Sequence, residues 1–287
     1  MEPHKYILVT GANGQLGKEL KRLAVQVPDF EFLFLSREDL PVHHPEMVRH
    51  YFNTYHPAYL INAAAYTAVD RAESEKDLAF QVNAEAVGIL AAVCRQYGTR
   101  LIHISTDYVF DGQATAPYQE GAPTGPQCVY GASKCEGERQ VAILDPDAVV
   151  IRTSWVYSEY GKNFVKTMLA LMRERNEVRV VNDQSGCPTY AADLARAILD
   201  MIGSGSWHPG VYHFCNEGVT TWFEFAEAIR DLTGLPCRVL PIPTSDFPTA
   251  ARRPAYSALD TSRIAAVWGI RPRAWKRALA DCLKRLG

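Results

Sequence analysis

Thr10-Gly11-Ala12-Asn13-Gly14-Gln15-Leu16-Gly17 is the most informative stretch of this sequence for its architecture. It follows a short β-prone run at residues 5–10 and opens a segment with helical spacing at residues 17–24. Glycines at such a junction let the chain turn tightly, and they let backbone N–H groups approach a pyrophosphate at the helix N-terminus. The spacing Gly-x-x-Gly-x-x-Gly is one residue wider than the common dinucleotide fingerprint. Alone it could be only a turn, but after a first strand it predicts a dinucleotide-binding loop.

Apolar runs and helical segments alternate beyond this loop. Strands are expected at residues 30–35, 58–63, 100–105 and 148–152, and long helices at 78–96 and 130–141. This alternation predicts an α/β protein with a Rossmann-like, doubly wound parallel sheet. Because the rhythm becomes less regular after Trp155, we expect a cofactor-binding domain at residues 1–155, with some later segments returning to it. A smaller C-terminal α/β domain at residues 156–287 is then expected to bind mainly the substrate.

Composition and charge exclude several classes of partner. Of 287 residues, 47% are hydrophobic and 22% charged, which is typical of a globular protein. The formal net charge of −2 gives no electrostatic reason to expect nucleic acid or an anionic membrane as a partner. The seven cysteines form no Cys-x-x-Cys pair, which indicates reduced thiols. With no apolar run near the roughly 20 residues of a membrane span, and no signal-peptide core, we expect a cytoplasmic protein.

Tyr130-Gly131-Ala132-Ser133-Lys134 places a phenol and an ammonium four residues apart. On a helix the two side chains lie on one face, about one turn from each other. A phenol titrates at about pH 10, and a nearby ammonium lowers its pKa toward the working range. The pair therefore suits a tyrosine that exchanges a proton with a substrate oxygen. Because Tyr-x-x-x-Lys also arises by chance on solvated helix faces, this prediction depends on a surrounding cofactor-binding fold.

The ends of the second and third strands carry candidate cofactor contacts. After the second strand the chain reads Ser36-Arg37, and an arginine there accommodates a 2′-phosphate, which favours NADPH while leaving NADH possible. Arg37 could instead be a solvated loop residue. The third strand leads into Asn62-Ala63-Ala64-Ala65-Tyr66-Thr67, whose small side chains let a flat ring or a ribose lie close to the backbone. The same alanines could equally be helix-packing residues.

Polar side chains also follow the fourth strand. Thr106 could donate a hydrogen bond to a carbonyl oxygen, and Asp107 could accept one from a sugar hydroxyl, because ligands bind at the carboxyl ends of strands in open α/β sheets. A hydrogen-bonded turn is the alternative. His103, inside the apolar strand, is expected to be a core residue with satisfied hydrogen bonds, and His43-His44 lacks metal-ligand spacing.

These motifs occur in the order found in extended short-chain dehydrogenases/reductases. The stretches "NAAAYTAVDRAE", "STDYVFDG", "VYGASKCEGE", "RTSWVY", "GKNFVKTML", "VVNDQSGCPT" and "ARRP" narrow the resemblance and span nearly the whole chain. Together they resemble the dTDP-4-dehydrorhamnose reductase family. The resemblance implies NAD(P)H-dependent reduction of the C4 carbonyl of dTDP-4-dehydro-β-L-rhamnose to dTDP-L-rhamnose, a step in the synthesis of dTDP-rhamnose for cell-surface polysaccharide.

The resemblance also implies a role for individual residues. Tyr130 protonates the developing alkoxide, Lys134 holds the nicotinamide ribose and lowers the Tyr130 pKa, and Thr106 polarises the reacting oxygen. Asp107 and Trp155 contact the sugar. With the strand-end residues above, the expected cofactor contacts are Gly11, Gly14, Gln15, Leu16, Gly17, Ser36, Arg37, Val42, Ala63, Ala64, Ala65, Tyr66, Thr67, Tyr130 and Lys134.

Some expectations come from departures from the family pattern. Some members dimerise around Mg²⁺ held by three glutamates, of which only Glu19 is matched here, since Ala192 and Arg285 stand at the other two positions. We therefore expect no metal site and a monomer or weak homodimer. Ser36 and Val42 stand where many members have acids, which weakens the case for NADH.

Two other functions fit the same residues. The chain could be a reductase or epimerase of another nucleotide-linked 4-keto sugar, because single motifs are shared with those enzymes. It could also be a non-catalytic, cofactor-binding regulatory subunit, since the family resembles the β-subunit of methionine adenosyltransferase. The presence of Thr106, Tyr130 and Lys134 argues against a non-catalytic protein.

Overall fold

The computed structural model of the protein describes residues 6–287, so the predicted start of the first strand at Lys5 lies outside the described residues. In chain order the strands are β1 (Tyr6–Thr10), β2 (Glu31–Leu35), β3 (Tyr59–Asn62), β4 (Arg100–Thr106), β5 (Val149–Thr153), β6 (Val156–Tyr157), β7 (Glu177–Val181), β8 (Ser185–Gly186), β9 (Thr189–Tyr190), β10 (Gly210–His213), β11 (Thr220–Thr221) and β12 (Arg238–Ile242).

The helices connect these strands. They are α1 (Gln15–Leu23), α2 (Pro45–Tyr55), α3 (Val69–Ala72), α4 (Lys76–Phe80), α5 (Ala86–Tyr97), α6 (Val129–Leu144), α7 (Phe164–Glu174), α8 (Ala191–Gly203), α9 (Trp222–Thr233), α10 (Ser262–Trp268) and α11 (Trp275–Leu286). A π-helical turn, Gln81–Glu85, joins α4 to α5 without a break.

A six-stranded parallel sheet in the order β10-β5-β4-β3-β1-β2 forms the centre of the fold. After β2 the chain returns past β1 to form β3, so the strand order reverses beside β1. Open α/β sheets bind their ligands in the crevice at such a point, outside the carboxyl ends of the strands. The predicted Rossmann-like doubly wound sheet is confirmed. Its edge strand β10 comes from the second half of the chain.

Alternate residues of the central strands face two separate cores. Ile7 and Val9 of β1 pack with α1 and α8 on one side, whereas Leu8 packs with α2 and α5 on the other. This is the period of two that a strand buried on both faces requires. A third core lies among α7, α9, α11 and the parallel pair β7 and β12.

The helix expected at residues 78–96 is slightly longer in the structure, where it runs without a break over residues 76–97. Among the described residues it has the length and mean hydropathy of a membrane span, although 56% of its apolar 18-residue segment is buried inside the fold. The core helix of a soluble protein passes the same test, so this helix is weak evidence for a membrane span. Its apolar character comes from packing against α2 and α6 beside the sheet.

Helix α2 and strand β12 are among the elements that were not predicted. Helix α2 has Pro45 in its first turn and buries Val48 and Phe52, four residues apart, which is the pattern of a helix start followed by one apolar face. Strand β12 lies in a proline-rich segment, and Pro241 is tolerated because β12 pairs only with β7 and is an edge strand.

Candidate active site

A cavity of about 850 Å³ lies at the carboxyl ends of β1, β3, β4 and β5. It brings together residues from all the motifs predicted to form the site. The predicted residues that line it are Gly11, Gly14, Gln15, Leu16, Gly17, Ser36, Arg37, Val42, Ala63, Ala64, Ala65, Thr67, Thr106, Asp107, Tyr130, Lys134 and Trp155. One of the predicted residues, Tyr66, is outside this lining.

The glycine loop is packed so tightly that only glycine fits at two positions. Gly11 has a φ of +71°, and a Cβ added there would lie 2.5 Å from the Ala63 carbonyl oxygen. A Cβ on Gly17 would lie 2.4 Å from the Gly11 carbonyl oxygen. The first and third glycines therefore let the loop lie against β3 and let α1 begin directly beside it.

The start of α1 suits an anionic ligand. Its N-cap residue is Gly14, which has no side chain to cap the helix, and its first turn contains no acidic residue. The N–H groups of the first turn lack intrahelical partners, and together with the helix dipole they attract a phosphate. Because Gly14, Gln15 and Leu16 line the cavity, the residues present fit the pyrophosphate of a dinucleotide.

The end of β2 forms a turn next to this loop. The Ser36 N–H donates a hydrogen bond to Asp39 Oδ2 at 2.9 Å, and the Asp39 N–H donates to Ser36 Oγ at 3.3 Å. The Asp39 carboxylate thus already accepts a hydrogen bond from the backbone of this turn. Arg37 lines the cavity and makes no salt bridge with the residues that the structure describes. A guanidinium in this position suits an added phosphate better than a ribose hydroxyl.

Tyr66 departs from the predicted arrangement. Its hydroxyl donates to Glu75 Oε2 at 2.6 Å, and its ring packs in a small cluster with Ala72 and Ala79. The side chain of Asn83 holds the Tyr66 main chain, since Asn83 Oδ1 accepts the Tyr66 N–H at 2.8 Å. The side chain of Tyr66 therefore faces helix α3 and not the cavity, while its neighbours Ala65 and Thr67 line the cavity.

Tyr130 and Lys134 lie one turn apart near the start of α6, and both line the cavity. The glycine between them has a function that the sequence reading overlooked. A Cβ on Gly131 would lie 2.2 Å from the Tyr108 carbonyl oxygen, so only glycine lets α6 approach the end of β4 this closely. That approach places the Tyr130 ring edge-on to Tyr108, with 5.5 Å between ring centroids.

The pKa of Tyr130 differs from the predicted direction. Burial raises the pKa of Tyr130 well above that of a free phenol, and a hydrogen bond with Thr106 opposes this shift only in part. The charge of Asp107 raises the Tyr130 pKa further. Lys134 is not among the groups that shift the Tyr130 pKa, and its Nζ donates to the Ile104 carbonyl oxygen at 2.6 Å. In this structure Tyr130 is therefore a neutral phenol and not a phenolate.

Lys134 is itself strongly affected by its surroundings. Its side chain is 1% exposed, and burial lowers the pKa of Lys134 to about 8, although the nearby Glu138 raises it. His103 Nε2 lies 3.3 Å from Lys134 Nζ. His103 is fully buried with Asn62 as a second partner, as expected of a satisfied core histidine.

Thr106 is the last residue of β4, and Asp107 follows it at the cavity wall. Thr106 Oγ1 donates to Asp107 Oδ1 at 3.0 Å, while Asp107 Oδ2 makes no hydrogen bond with the residues described. Burial raises the pKa of Asp107 to about 6, against the opposing effect of the Ser257 and Thr106 hydroxyls. A buried carboxylate oxygen without a partner is costly, so this atom is suited to accept a hydroxyl from a ligand.

Trp155 closes the cavity from the side of the second half of the chain. It has a φ of +48°, a left-handed conformation that is rare for a bulky residue. Its indole stacks on Trp222 with 3.5 Å between ring centroids and 7° between planes. On the other side a Cβ on Gly186 would lie 2.7 Å from the Trp155 ring, so the indole is held between α9 and β8.

Several residues around the cavity were not predicted. They are Asn13, Glu38, Leu40, Pro41, His43, Val69, Leu78, Gln81, Val82, Ile104, Ser105, Tyr108, Thr153, Ser154, Val156, Gly161, Lys162 and Leu194. Ser105 and Tyr108 flank the predicted Thr106-Asp107 pair and could have been found from that position. Leu78, Gln81 and Val82 come from a segment that carries no local motif, whereas Gly161 and Lys162 open the quoted stretch GKNFVKTML and could have been found from it.

The three positions compared with metal-linked dimers lie outside the lining of this cavity. Arg22 pairs with Glu19 at 2.7 Å, and Arg285 pairs with Glu159. Ala192 and Arg285 line a second cavity of about 390 Å³. Burial raises the pKa of Glu19 to about 7, with Glu159 close by. Within residues 6–287, no group of three or more His, Cys, Asp or Glu side chains could hold a metal ion.

Known proteins resemble the chain over nearly its whole length. A dTDP-4-dehydrorhamnose reductase from Aggregatibacter actinomycetemcomitans is 43% identical over 286 residues, covering 96% of this chain and 97% of the relative. A probable dTDP-4,6-dihydroxy-2-methyloxan-3-one 4-ketoreductase from Streptomyces antibioticus is 41% identical over 281 residues, covering 96% and 93%. The crystal structure of a dTDP-4-dehydrorhamnose reductase from Bacillus anthracis in complex with NADP matches with a TM-score of 0.94 at 37% identity, covering 98% of this chain and 99% of that one.

The family model described as the RmlD substrate binding domain matches residues 5–287. The match includes the glycine loop, the strand-end Thr106-Asp107 and the pair Tyr130 and Lys134, which one cavity brings together. The chain therefore belongs to the dTDP-4-dehydrorhamnose reductase family of extended short-chain dehydrogenases/reductases.

Proposed function

We propose that this protein reduces the C4 carbonyl of dTDP-4-dehydro-β-L-rhamnose to dTDP-L-rhamnose with NADPH. The observation that carries the proposal is a single cavity that joins a phosphate-binding helix start to Thr106, Asp107, Tyr130 and Lys134. Full-length relatives with this activity in their names support it. When bound, NADPH supplies the hydride for the carbonyl carbon.

Residues of the chain supply the proton for the C4 oxygen and stabilise the negative charge that develops on it. Tyr130, kept neutral by its raised pKa, donates its phenolic proton to the oxygen that becomes the C4 hydroxyl. The Thr106 hydroxyl turns from Asp107 Oδ1 and donates its hydrogen bond to the same oxygen, which stabilises the charge that develops there. Asp107 Oδ2 accepts a hydroxyl of the sugar, and Trp155 covers one face of the ring. Lys134 contributes positive charge on the cofactor side of Tyr130.

The cofactor is held by the residues that line its part of the cavity. The N–H groups of Gln15 and Leu16 bind the pyrophosphate beside Gly14, whose own N–H donates to the Gly11 carbonyl oxygen at 2.9 Å. Ser36 with Arg37 binds the 2′-phosphate, which favours NADPH over NADH. Val42, with Ala63, Ala64, Ala65 and Thr67, completes the groove. We place the cofactor in residues 1–155 and the sugar nucleotide mainly against residues 156–287. The protein acts in the cytoplasm as a monomer or weak homodimer without a metal.

A second candidate is reduction of a different dTDP-linked keto sugar. The Streptomyces antibioticus relative is almost as similar to the chain as the rhamnose-type reductase, at 41% against 43% identity. Overall similarity therefore does not distinguish between the two sugars. Both candidates use the same cofactor loop and the same proton donor.

NADPH oxidation with a panel of dTDP-, UDP- and GDP-linked 4-keto sugars tests the proposal. We expect the highest kcat/KM for dTDP-4-dehydrorhamnose, lower activity with NADH, and no loss with EDTA. One NADP⁺ released for each dTDP-L-rhamnose formed would exclude epimerisation, in which the cofactor is retained. Absence of activity with every sugar, together with capture of a methionine adenosyltransferase, would contradict the proposal and support a regulatory subunit.

A further inference from the structure

A buried chain of polar side chains connects the glycine loop to Lys134. Thr10 Oγ1 donates to Asn62 Oδ1 at 2.7 Å, and the Ala64 N–H lies 3.3 Å from the same oxygen. Asn62 Nδ2 lies 3.0 Å from His103 Nδ1, and His103 Nε2 lies 3.3 Å from Lys134 Nζ. The side chains of Thr10, Asn62, His103 and Lys134 are all buried, so water does not compete for these contacts.

The hydrogen bonds of Asn62 determine which nitrogen of His103 carries the proton. A backbone N–H can only donate, so the Asn62 atom that faces Ala64 is the carbonyl oxygen Oδ1. The amide nitrogen Nδ2 therefore faces His103. Because Nδ2 is a donor, His103 Nδ1 must accept, and the ring proton lies on Nε2, the nitrogen that faces Lys134.

This tautomer places a donor opposite the amine of Lys134. An ammonium has three donors and no lone pair, so it cannot accept a hydrogen bond from Nε2–H, whereas a neutral amine can. The Ile104 carbonyl oxygen, 2.6 Å from Nζ, accepts in either state. His103 itself stays neutral, because burial and the charge of Lys134 lower the pKa of His103 well below its usual range.

The other ionisable groups around Lys134 do not disfavour its ammonium form. Glu138, one turn later on α6, raises the pKa of Lys134, and its carboxylate is engaged by Arg152 at 2.6 Å. Ser105 Oγ donates to the same carboxylate at 2.5 Å. Tyr130, one turn earlier, is neutral. Among the described residues, His103 is thus the group in hydrogen-bond contact that disfavours the ammonium.

We propose that His103, oriented by Asn62, lowers the proton affinity of Lys134, so that the amine gains and loses a proton closer to neutral pH than an ordinary lysine does. His103 is a positioning residue, since it contacts Lys134 and not the substrate. An ordinary lysine would remain an ammonium throughout the neutral range. The importance of this tuning for catalysis rests on the function proposed above, whereas the tuning itself can be measured without activity.

The first test measures the titration of Lys134 through stability. In the unfolded chain a lysine titrates at about pH 10.4. Because its folded pKa is lower, the contribution of Lys134 is fully present above that pH and is lost as the pH falls through the folded pKa, about 8. The free energy of unfolding of the wild type relative to Lys134→Met is therefore expected to rise across this window. In a His103→Gln background the rise is expected to begin about one unit higher.

The second test uses the pH dependence of kcat/KM. Its alkaline limb is expected where Lys134 loses the positive charge that it contributes beside Tyr130. In His103→Gln the pH of this limb is expected to rise by about one unit, because the glutamine amide can turn its oxygen toward the ammonium. Asn62→Asp is a second variant that keeps the imidazole. Its carboxylate accepts from His103 Nδ1–H, which shifts the ring proton and leaves Nε2 free to accept from Lys134, so the limb also moves up.

Thr10→Val is the matched control. It removes a buried hydrogen bond, but the Ala64 N–H still orients Asn62, so the protein loses stability without a shift in the alkaline limb. Unchanged titration of Lys134 in both His103→Gln and Asn62→Asp would overturn the inference. A shifted stability curve in a protein without reductase activity would instead contradict the proposed function and leave the tuning of Lys134 intact.

Discussion

In the proposed reaction, the chemistry of this cavity depends most directly on Tyr130. Its phenol lines the cavity beside Thr106, and its raised pKa keeps it neutral. Replacing Tyr130 by Phe keeps the ring and its edge-on contact with Tyr108 but removes the proton. We expect kcat to fall by about 10²- to 10⁴-fold with NADPH affinity unchanged, measured by stopped-flow oxidation and fluorescence titration. Near wild-type turnover would show that another group donates the proton.

Asp107 is expected to produce the acid limb of the pH profile. With a pKa raised to about 6, its carboxylate loses its charge as the pH falls through that value and accepts a sugar hydroxyl less well. We expect kcat/KM to fall below about pH 6 in the wild type. In Asp107→Asn this limb is expected to disappear while kcat/KM falls at all pH values. Persistence of the limb in the variant would assign it to another group.

Stability provides the control for the Asp107 assignment. A carboxyl whose folded pKa is raised stabilises the fold fully below its unfolded pKa, about 3.9, and this contribution is lost as the pH rises through the folded value of about 6. The wild type is therefore expected to lose on the order of 1–3 kcal/mol relative to Asp107→Asn between pH 4 and 7. Urea unfolding of both proteins at several pH values measures this difference.

At the scale of single elements, helix α1 depends on the absence of side chains at its start. A Cβ at Gly17 would meet backbone atoms of Gly11 and Ala12, and backbone cannot move aside as a flexible side chain can. We expect Gly17→Ala to reduce the free energy of unfolding by about 1–3 kcal/mol and to weaken NADPH binding at least about 10-fold. Denaturant unfolding and NADPH titration measure the two effects.

Gly203→Ala is the matched control for helix α1. Gly203 ends α8, and an added Cβ there meets nothing within 4 Å. Its free energy of unfolding is expected to change by less than about 1 kcal/mol, with stabilisation as the direction favoured by helix propensity. Equal losses in the two variants would mean that general glycine effects explain the result and not the packing of the loop.

Helix α9 positions Trp155 through the stacked residue Trp222. Removing the Trp222 ring leaves a strained left-handed residue without its packing partner on one side. We expect Trp222→Ala to lose the paired tryptophan signal in near-UV circular dichroism and to raise KM for the sugar nucleotide about 3- to 10-fold, with NADPH affinity unchanged. Trp222→Phe is expected to recover part of the affinity. An unchanged KM in Trp222→Ala would show that β8 alone holds Trp155.

At the scale of the whole molecule, the central sheet is completed by the second half of the chain. Strand β10 pairs with β5, and α8 covers α1 and one face of the sheet. A fragment of residues 1–155 would therefore expose apolar surface along β5 and α1. We expect this fragment to be unfolded or aggregated and not to bind NADPH, as tested by circular dichroism and fluorescence titration. A folded, NADPH-binding fragment would show that β10 and α8 are dispensable.

Sequence reasoning succeeded where the signal is local. The alternation of apolar runs and helices located the strands of the sheet up to β5, and the glycines placed the loop between β1 and α1. It failed for α2, where helix-start signals at Pro45 were overlooked, and for β12, where prolines obscured an edge strand. Among the predicted site residues, Tyr66 is outside the cavity lining. Nothing in the sequence shows that its hydroxyl donates a hydrogen bond to Glu75.

The sequence by itself determined the fold class and the position of the glycine loop, and it pointed to Tyr130 as the proposed proton donor, since each of these depends on spacing along a short stretch of chain. The tertiary structure decided the proton affinities, because these depend on burial and on partners distant in sequence. Burial raises the pKa of Tyr130, whereas the four-residue spacing predicted a lowered value. His103, about thirty residues from Lys134 in sequence, becomes its neighbour only when β4 and α6 pack together.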